Sequence, residues 1–378
     1  ITDLVEAMHS TILRVPWIFG QPVDRPTSGI TGFVYSSIRT ITALVGAGID
    51  VALVPLIVLL EEQRSSPERE AVIAAINGVV GDYLQESGNS LALPMCMRVN
   101  GQTLELSAPA LAAAIPQASG KILLLAHGLC LTDQHWDQEG HDHGARLASE
   151  LGYTPVYLHY NTGLHISTNG RALADMLAAL TSAWPVPVEE LSILAHSMGG
   201  LVSRSACHYG TLADHAWLGH LRTIIFLGTP HHGSPLERAG NWVDTLLQVS
   251  PYSAAFARLG KIRSAGITDL RYGSLLDEDW LGRDRFAPVG DLRQPVPLPT
   301  DVACYMIAAS TGSIEDELQN HRNGDGLVPV HSALGMHPDP NMALPPSATE
   351  QWVGYDMNHI DLLHRLDVYA QIRAWLAR

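Results

Sequence analysis

The sequence predicts an α/β protein: a mostly parallel sheet with a helical extension ahead of it and an insertion above it. Three observations predict this. From about Met95 short apolar runs alternate with stretches of helical periodicity, the pattern of parallel strands joined by crossover helices. Before that point the chain reads as helix alone. A long mixed stretch, about 234–297, then breaks the alternation.

In the extension, Ser66 followed by Pro67 makes an N-cap and first-turn pair. Behind it Val72, Ile76, Val79, Val80 and Tyr83 recur at helical spacing, which predicts one apolar stripe. The apolar run 41–60 has membrane-spanning length but contains Asp50 and Pro55, so a buried helix is expected there rather than membrane contact. Asn100-Gly101 between extended stretches signals a hairpin. The runs 122–125, 155–158, 191–194, 221–227 and 302–308 predict strands, and 170–180 predicts a helix among them. The stretch 234–297 carries Trp242, Leu246, Leu247, Tyr252, Phe256, Leu259 and Trp280, and reads as an apolar cap. The expected division is a helical segment at 1–91 and a catalytic domain at 92–378, with its cap insertion at about 234–297.

The formal net charge of −15 repels phosphate backbones, which excludes nucleic acid as an expected partner. Cysteines 96, 130, 207 and 304 form no CxxC pair, so zinc is not indicated and free core thiols are expected. The numbering begins at Ile1 rather than Met, which is compatible with a removed leader; a cytoplasmic location is the expectation.

The chemistry concentrates at Leu191-Ser-Ile-Leu-Ala-His-Ser-Met-Gly-Gly200. An apolar strand ends, a serine follows, and a helix begins at once. A nucleophilic Ser197 on such a turn needs small residues two positions either side, here Ala195 and Gly199. Ala195 stands where glycine is usual. The Met198 N–H opens the helix, where donors are unpaired and the dipole is positive. Upstream, Ala126-His127-Gly128-Leu129-Cys130 closes an early strand, where a second oxyanion donor is placed; Leu129 N–H is the candidate. His127 itself is expected to be structural.

A serine hydroxyl needs a base, and chain order should run Ser, acid, His. His359, ahead of the last amphipathic stretch with Leu362, Leu366, Val368 and Trp375, is the best placed of 18 histidines; His331, His337 and His364 are rivals. Asp325, between two glycines in Asn323-Gly-Asp-Gly-Leu-Val-Pro-Val330, is the candidate acid, with Asp291 and Asp301 as fallbacks. His135, His141 and His143 cluster near Asp133, Asp137 and Asp142 but match no metal signature, so no metal is expected. Gly228-Thr-Pro-His-His-Gly-Ser234 is expected to line the pocket and hinge the cap.

Together, Ala126-His-Gly, Ala195-His-Ser-Met-Gly-Gly, Leu227-Gly-Thr-Pro-His-His-Gly, Gly324-Asp-Gly-Leu-Val-Pro and Asn358-His359 resemble the bacterial lipase and esterase branch of the α/β-hydrolases. The nearest likeness is to GPI inositol-deacylase-like proteins. The resemblance covers about 95–378. It implies Ser197, Asp325 and His359 as triad and Leu129 and Met198 as oxyanion donors. Some lipases of this branch bind calcium through an Asp two residues past the catalytic His; Asp361 stands there, but Arg365 occupies a place where a neutral ligand is wanted.

The function expected is cleavage of carboxylic esters through an acyl-enzyme, with a small or lipid-like ester as partner and no cofactor. An acyltransferase or amidase using the same triad, and a non-catalytic interaction protein on a hydrolase scaffold, are the alternatives.

Overall fold

The computed structural model describes residues 66–234, 263–286, 290–313, 324–345 and 349–378. The run 41–60 and the cap residues from Trp242 to Leu259 lie outside the described residues, as does most of the expected N-terminal segment.

Among the described residues eight strands form one sheet in the order β2-β1-β6-β3-β7-β8-β9-β10. They are β1 (Cys96–Val99), β2 (Gln102–Thr103), β3 (Lys121–Ala126), β6 (Thr154–His159), β7 (Glu190–His196), β8 (Leu221–Leu227), β9 (Ala303–Ala309) and β10 (Thr349–Gly354). Strands β4 (Asp137–Gln138) and β5 (His141–Asp142) make a separate small hairpin. Only β1 runs against its neighbours in the main sheet, pairing antiparallel with β2 and β6. The other ladders of the main sheet among the described residues are parallel. This is the α/β-hydrolase arrangement, a mostly parallel sheet flanked by helices.

Each central strand divides its side chains between the two faces. Ile122, Leu124 and Ala126 of β3 join one apolar cluster, and Leu123 and Leu125 join the other. In β8, Ile224 and Phe226 face the first cluster, and Ile225 and Leu227 the second. Because both faces are covered, such strands read in sequence as unbroken apolar runs. The first face is covered by α1 (Pro67–Glu86), α2 (Ala108–Ala114), α4 (Ile166–Ala183) and α5 (Met198–Leu212). The second is covered by α3 (His143–Leu151) and α8 (Leu366–Leu376). Short helices α6 (Ala265–Asp269) and α7 (Val330–Ala333) lie in the connections.

The hairpin turns through Asn100 and Gly101 at φ of 51° and 73°, the left-handed pair that a two-residue hairpin requires. Ser66 Oγ caps α1 by accepting from Arg69 N at 3.2 Å. Beyond the cap, α1 differs from a one-stripe helix. Val72 to Val80 are buried without a break, and Leu84 rather than Tyr83 is the deep residue of the last turn. The helix departs from helical angles at Val80 (φ −134°, ψ 21°), which shifts the buried face. Val72, Ile76 and Leu84 belong to the same apolar cluster as the sheet.

Asn77 fixes this helix to the chain that follows. Its amide donates to the carbonyls of Ile73 (2.9 Å) and Leu91 (2.7 Å), and its oxygen accepts from Leu93 N (2.9 Å). Asn77→Ala would leave Leu91 and Leu93 backbone groups without partners. We expect a loss of about 2–4 kcal/mol, read from the urea unfolding midpoint, on the scale of one or two orphaned buried groups. A midpoint unchanged from wild type would contradict this anchoring role.

The final helix also differs in detail. Leu362 lies in a 3₁₀ turn before it, and Leu366 is 63% exposed at its start. The buried face is Val368, Tyr369, Ile372, Trp375 and Leu376. The buried face of the helix therefore begins at Val368, six residues after Leu362, where the sequence pattern begins. All four cysteines are free. Among the described residues, no helix is long and apolar enough to cross a membrane.

Candidate active site

Strand β7 delivers Ser197 directly to the N-terminus of α5. Ser197 holds φ 54° and ψ −123°, a conformation that non-glycine residues rarely adopt. Its N–H donates to Leu227 O at 2.8 Å, tying the turn to the end of β8. A Cβ on Gly199 would lie 2.4 Å from the Ala126 carbonyl oxygen, so the close approach of α5 to β3 demands glycine there. Ala195, on the strand side, is fully buried within β7 and accommodates its methyl.

Asp325 and His359 meet across 34 residues. His359 Nδ1–H donates to Asp325 Oδ2 at 2.6 Å, with both side chains buried. The other carboxylate oxygen accepts from Leu327 N (2.9 Å) and Val328 N (2.7 Å), and His359 N donates to the Asp325 carbonyl at 3.2 Å. The carboxylate is thus held by its own loop before it holds the imidazole. With Nδ1 carrying the proton, Nε2 is left with its lone pair.

Ser197 and His359 are brought together by their neighbours. His196 Nε2–H donates to the His359 carbonyl at 3.0 Å, and the two rings stand 4.6 Å apart. A Cβ on Gly128 would come 3.4 Å from Ser197 Oγ. A Cβ on Gly228 would come 3.0 Å from His359 Cε1. Strands β3, β7 and β8 therefore end around one point. No Ser197 Oγ to His359 hydrogen bond is formed among the described residues; such links commonly tighten only when substrate is bound. His196 escaped notice in the sequence, although it sits inside the quoted motif. Burial pushes its ring well below the ordinary imidazole range, with the neighbouring His359 adding to the shift, so it stays neutral as a donor needs no charge.

Leu129 and Met198 lie on the two loops that flank Ser197. Both are buried, and neither N–H is spent on a hydrogen bond among the described residues. The loop 128–131 is bound from below: Cys130 N donates to Thr162 Oγ1 at 3.2 Å, and Cys130 has φ 60°. His127 is buried against the Tyr160 ring at 4.6 Å, and burial pulls it down to about 3. It is a neutral part of the core.

The rivals stand elsewhere. His331 is exposed, His337 neighbours His232, and His364 lies 3.9 Å from Glu139. Asp291 is paired with Arg293, and Asp301 is an exposed turn residue at φ 60°. The histidine and aspartate cluster divides among separate networks, and His135 Nδ1 accepts from Thr132 N at 3.1 Å. His141 Nε2–H donates to His143 Nδ1 (2.7 Å), and His143 Nε2–H donates to Leu362 O (3.1 Å). Asp142 caps α3 through Ala145 N (2.9 Å). Asp133 joins Arg98 and His159, both at 3.0 Å. Glu70, Asp133 and His159 have the proximity of a metal triplet. The Arg98 guanidinium already bridges Glu70 (2.8 Å) and Asp133, so a cation is built in. Asp361 accepts from Asn358 N at 2.7 Å, which uses one of its oxygens locally.

A family model covers residues 66–269, more than half of the chain, and is described as a domain of unknown function, DUF7379. The chain belongs to the DUF7379 family. The DUF7379 match includes Ser197, Leu129 and Met198 and ends before Asp325 and His359. It begins at the cap of α1, so the family's unit includes that helix. No curated protein matches this DUF7379 chain. Among solved structures it is similar to the mature form of a lipase from Bacillus licheniformis, at 18% identity and a TM-score of 0.47, over 75% of this chain and 98% of that one. It is also similar to lipase B of Aspergillus fumigatus, at 10% identity and a TM-score of 0.43, over 75% of this chain and 56% of that one. Phospholipase PlaB of Legionella pneumophila is a third, at 17% identity and a TM-score of 0.35, over 56% of this chain and 45% of that one.

Proposed function

We propose that this protein hydrolyses carboxylic esters, with Ser197 as nucleophile, His359 as general base and acid, and Asp325 as the carboxylate behind it. One observation carries the reading: a buried Asp325–His359 hydrogen bond of 2.6 Å stands beside a serine held at φ 54° on a strand-to-helix turn.

Attack by Ser197 Oγ on the ester carbonyl passes its proton to His359 Nε2. Asp325 stabilises the imidazolium that forms, while the charge developing on the carbonyl oxygen is met by the Leu129 and Met198 N–H groups. His359 then protonates the departing alcohol. Water, deprotonated by His359, releases the acid from Ser197 and restores the enzyme. Each donor of the oxyanion pair is worth about 2.7–4 kcal/mol in the transition state. The motif order, which resembles the GPI inositol-deacylase-like branch, favours a lipid-like ester as substrate.

A fluorophosphonate probe tests this directly. It should label the native protein on Ser197, located by peptide mass spectrometry, and a p-nitrophenyl ester series should be turned over with a preference for one range of acyl lengths. A folded protein that resists the probe and spares every ester of the series would instead mark a scaffold without hydrolase chemistry.

A further inference from the structure

Arg204 lies on α5, seven residues after Ser197 and so about 10 Å further along the helix axis. Its guanidinium is buried. Nη2 donates to the Val296 carbonyl (2.5 Å) and Nη1 to His231 Nδ1 (3.2 Å), while Nε has no acceptor. No carboxylate pairs with it among the described residues. His231 offers no charge, because burial, followed by the nearby Arg204, drives it well below the ordinary imidazole range. Burial and the neighbouring Arg293 also pull Arg204 down, to about 10, which leaves it a cation at neutral pH.

Buried arginines are ordinarily paired, because a lone buried charge is strongly destabilising. Here Arg204 lines a cleft of about 150 Å³. Arg293 lines it too, but its Nε and Nη2 are spent on the Asp291 carboxylate (2.9 and 2.7 Å) and its Nη1 on the His231 and Gly273 carbonyls (3.0 and 3.3 Å). Among the described residues one positive charge is therefore uncompensated. The remaining walls are largely apolar, with Leu275, Val296, Met342 and Leu344.

We propose that this cleft binds an organic monocarboxylate, its head on Arg204 and its short apolar tail along Val296, Met342 and Leu344. A single free cation among the described residues favours a monoanion, and the apolar walls favour a carboxylate with a tail over a phosphate. The site is separate from Ser197 and does not depend on ester hydrolysis.

Calorimetric titration with octanoate, butyrate and inorganic phosphate tests the assignment. Wild type and Ser197→Ala should bind octanoate equally, octanoate should bind more tightly than butyrate, and both more tightly than phosphate. Arg204→Met should weaken octanoate by about ten-fold or more, the scale of a charge-assisted contact. Because Arg204 also anchors Val296, a second variant is needed: Met342→Glu places a carboxylate on the rim and should weaken octanoate without disturbing that anchor. Saturable binding lost in Ser197→Ala would assign the ligand to the active site and overturn the proposal. So would undiminished binding in folded Arg204→Met and Met342→Glu, tighter binding of phosphate, or no saturable binding at all.

Discussion

Ser197→Ala is expected to lower kcat for a good p-nitrophenyl ester by about 10⁶-fold, the scale seen when a triad nucleophile is removed. His359→Ala should lose about as much, and the double variant almost nothing further, because the nucleophile and base act as one unit. That non-additivity separates a triad from two independently useful polar residues. Structure should survive both changes. Ser197 makes its fixed contact through the backbone N–H to Leu227 O, which alanine retains. The φ of 54° is unfavourable for alanine as for serine, so the turn stays as strained as before. If His359→Ala kept turnover within about tenfold of wild type, against the 10⁶-fold loss that a triad base entails, the base would have to be sought elsewhere.

How much of this molecule the sequence discloses depends on what each residue faces. Strands β3, β6, β7, β8 and β9 are legible because both of their faces are buried and apolar residues run on without alternation. Strand β10 is not. It lies at the sheet edge, and Glu350, Gln351 and Trp352 remain partly or fully open to solvent, so no apolar run marks it. Helix α1 reads as one stripe because Asn77 and the small residues around it look polar or neutral, yet tertiary hydrogen bonds bury them. At the candidate site, Ser197 announces itself by its strand, turn and helix, and the other two by chain order. The link from His196 to the His359 carbonyl spans 163 residues and leaves no periodic trace. Arg204 is harder still. A lone arginine within a helical stretch reads as solvated, and only the packing of α5 shows it buried with no carboxylate partner among the described residues.

Asp325→Asn should reduce kcat by about 10⁴-fold, the loss known when an orienting carboxylate becomes an amide. The atoms explain why the loss is large while the fold holds. Oδ1 accepts from Leu327 N and Val328 N, and the amide oxygen of asparagine can accept both. The amide nitrogen then takes the place of Oδ2 opposite His359 Nδ1, 2.6 Å away in the native pair. A donor facing Nδ1 forces that nitrogen to accept, so the ring proton moves to Nε2. The nitrogen meant to take the Ser197 proton is then already protonated, and the base is lost although every heavy atom stays near its place. The unfolding midpoint should remain close to wild type. Asp325→Ala should behave differently, because it also strands the two backbone donors and loosens the loop that carries the carboxylate. Steady-state kinetics and thermal unfolding of the two variants side by side make the comparison. Asp325→Asn with nearly native kcat would remove Asp325 from the reaction; equal unfolding of both variants would show that its loop contacts contribute nothing.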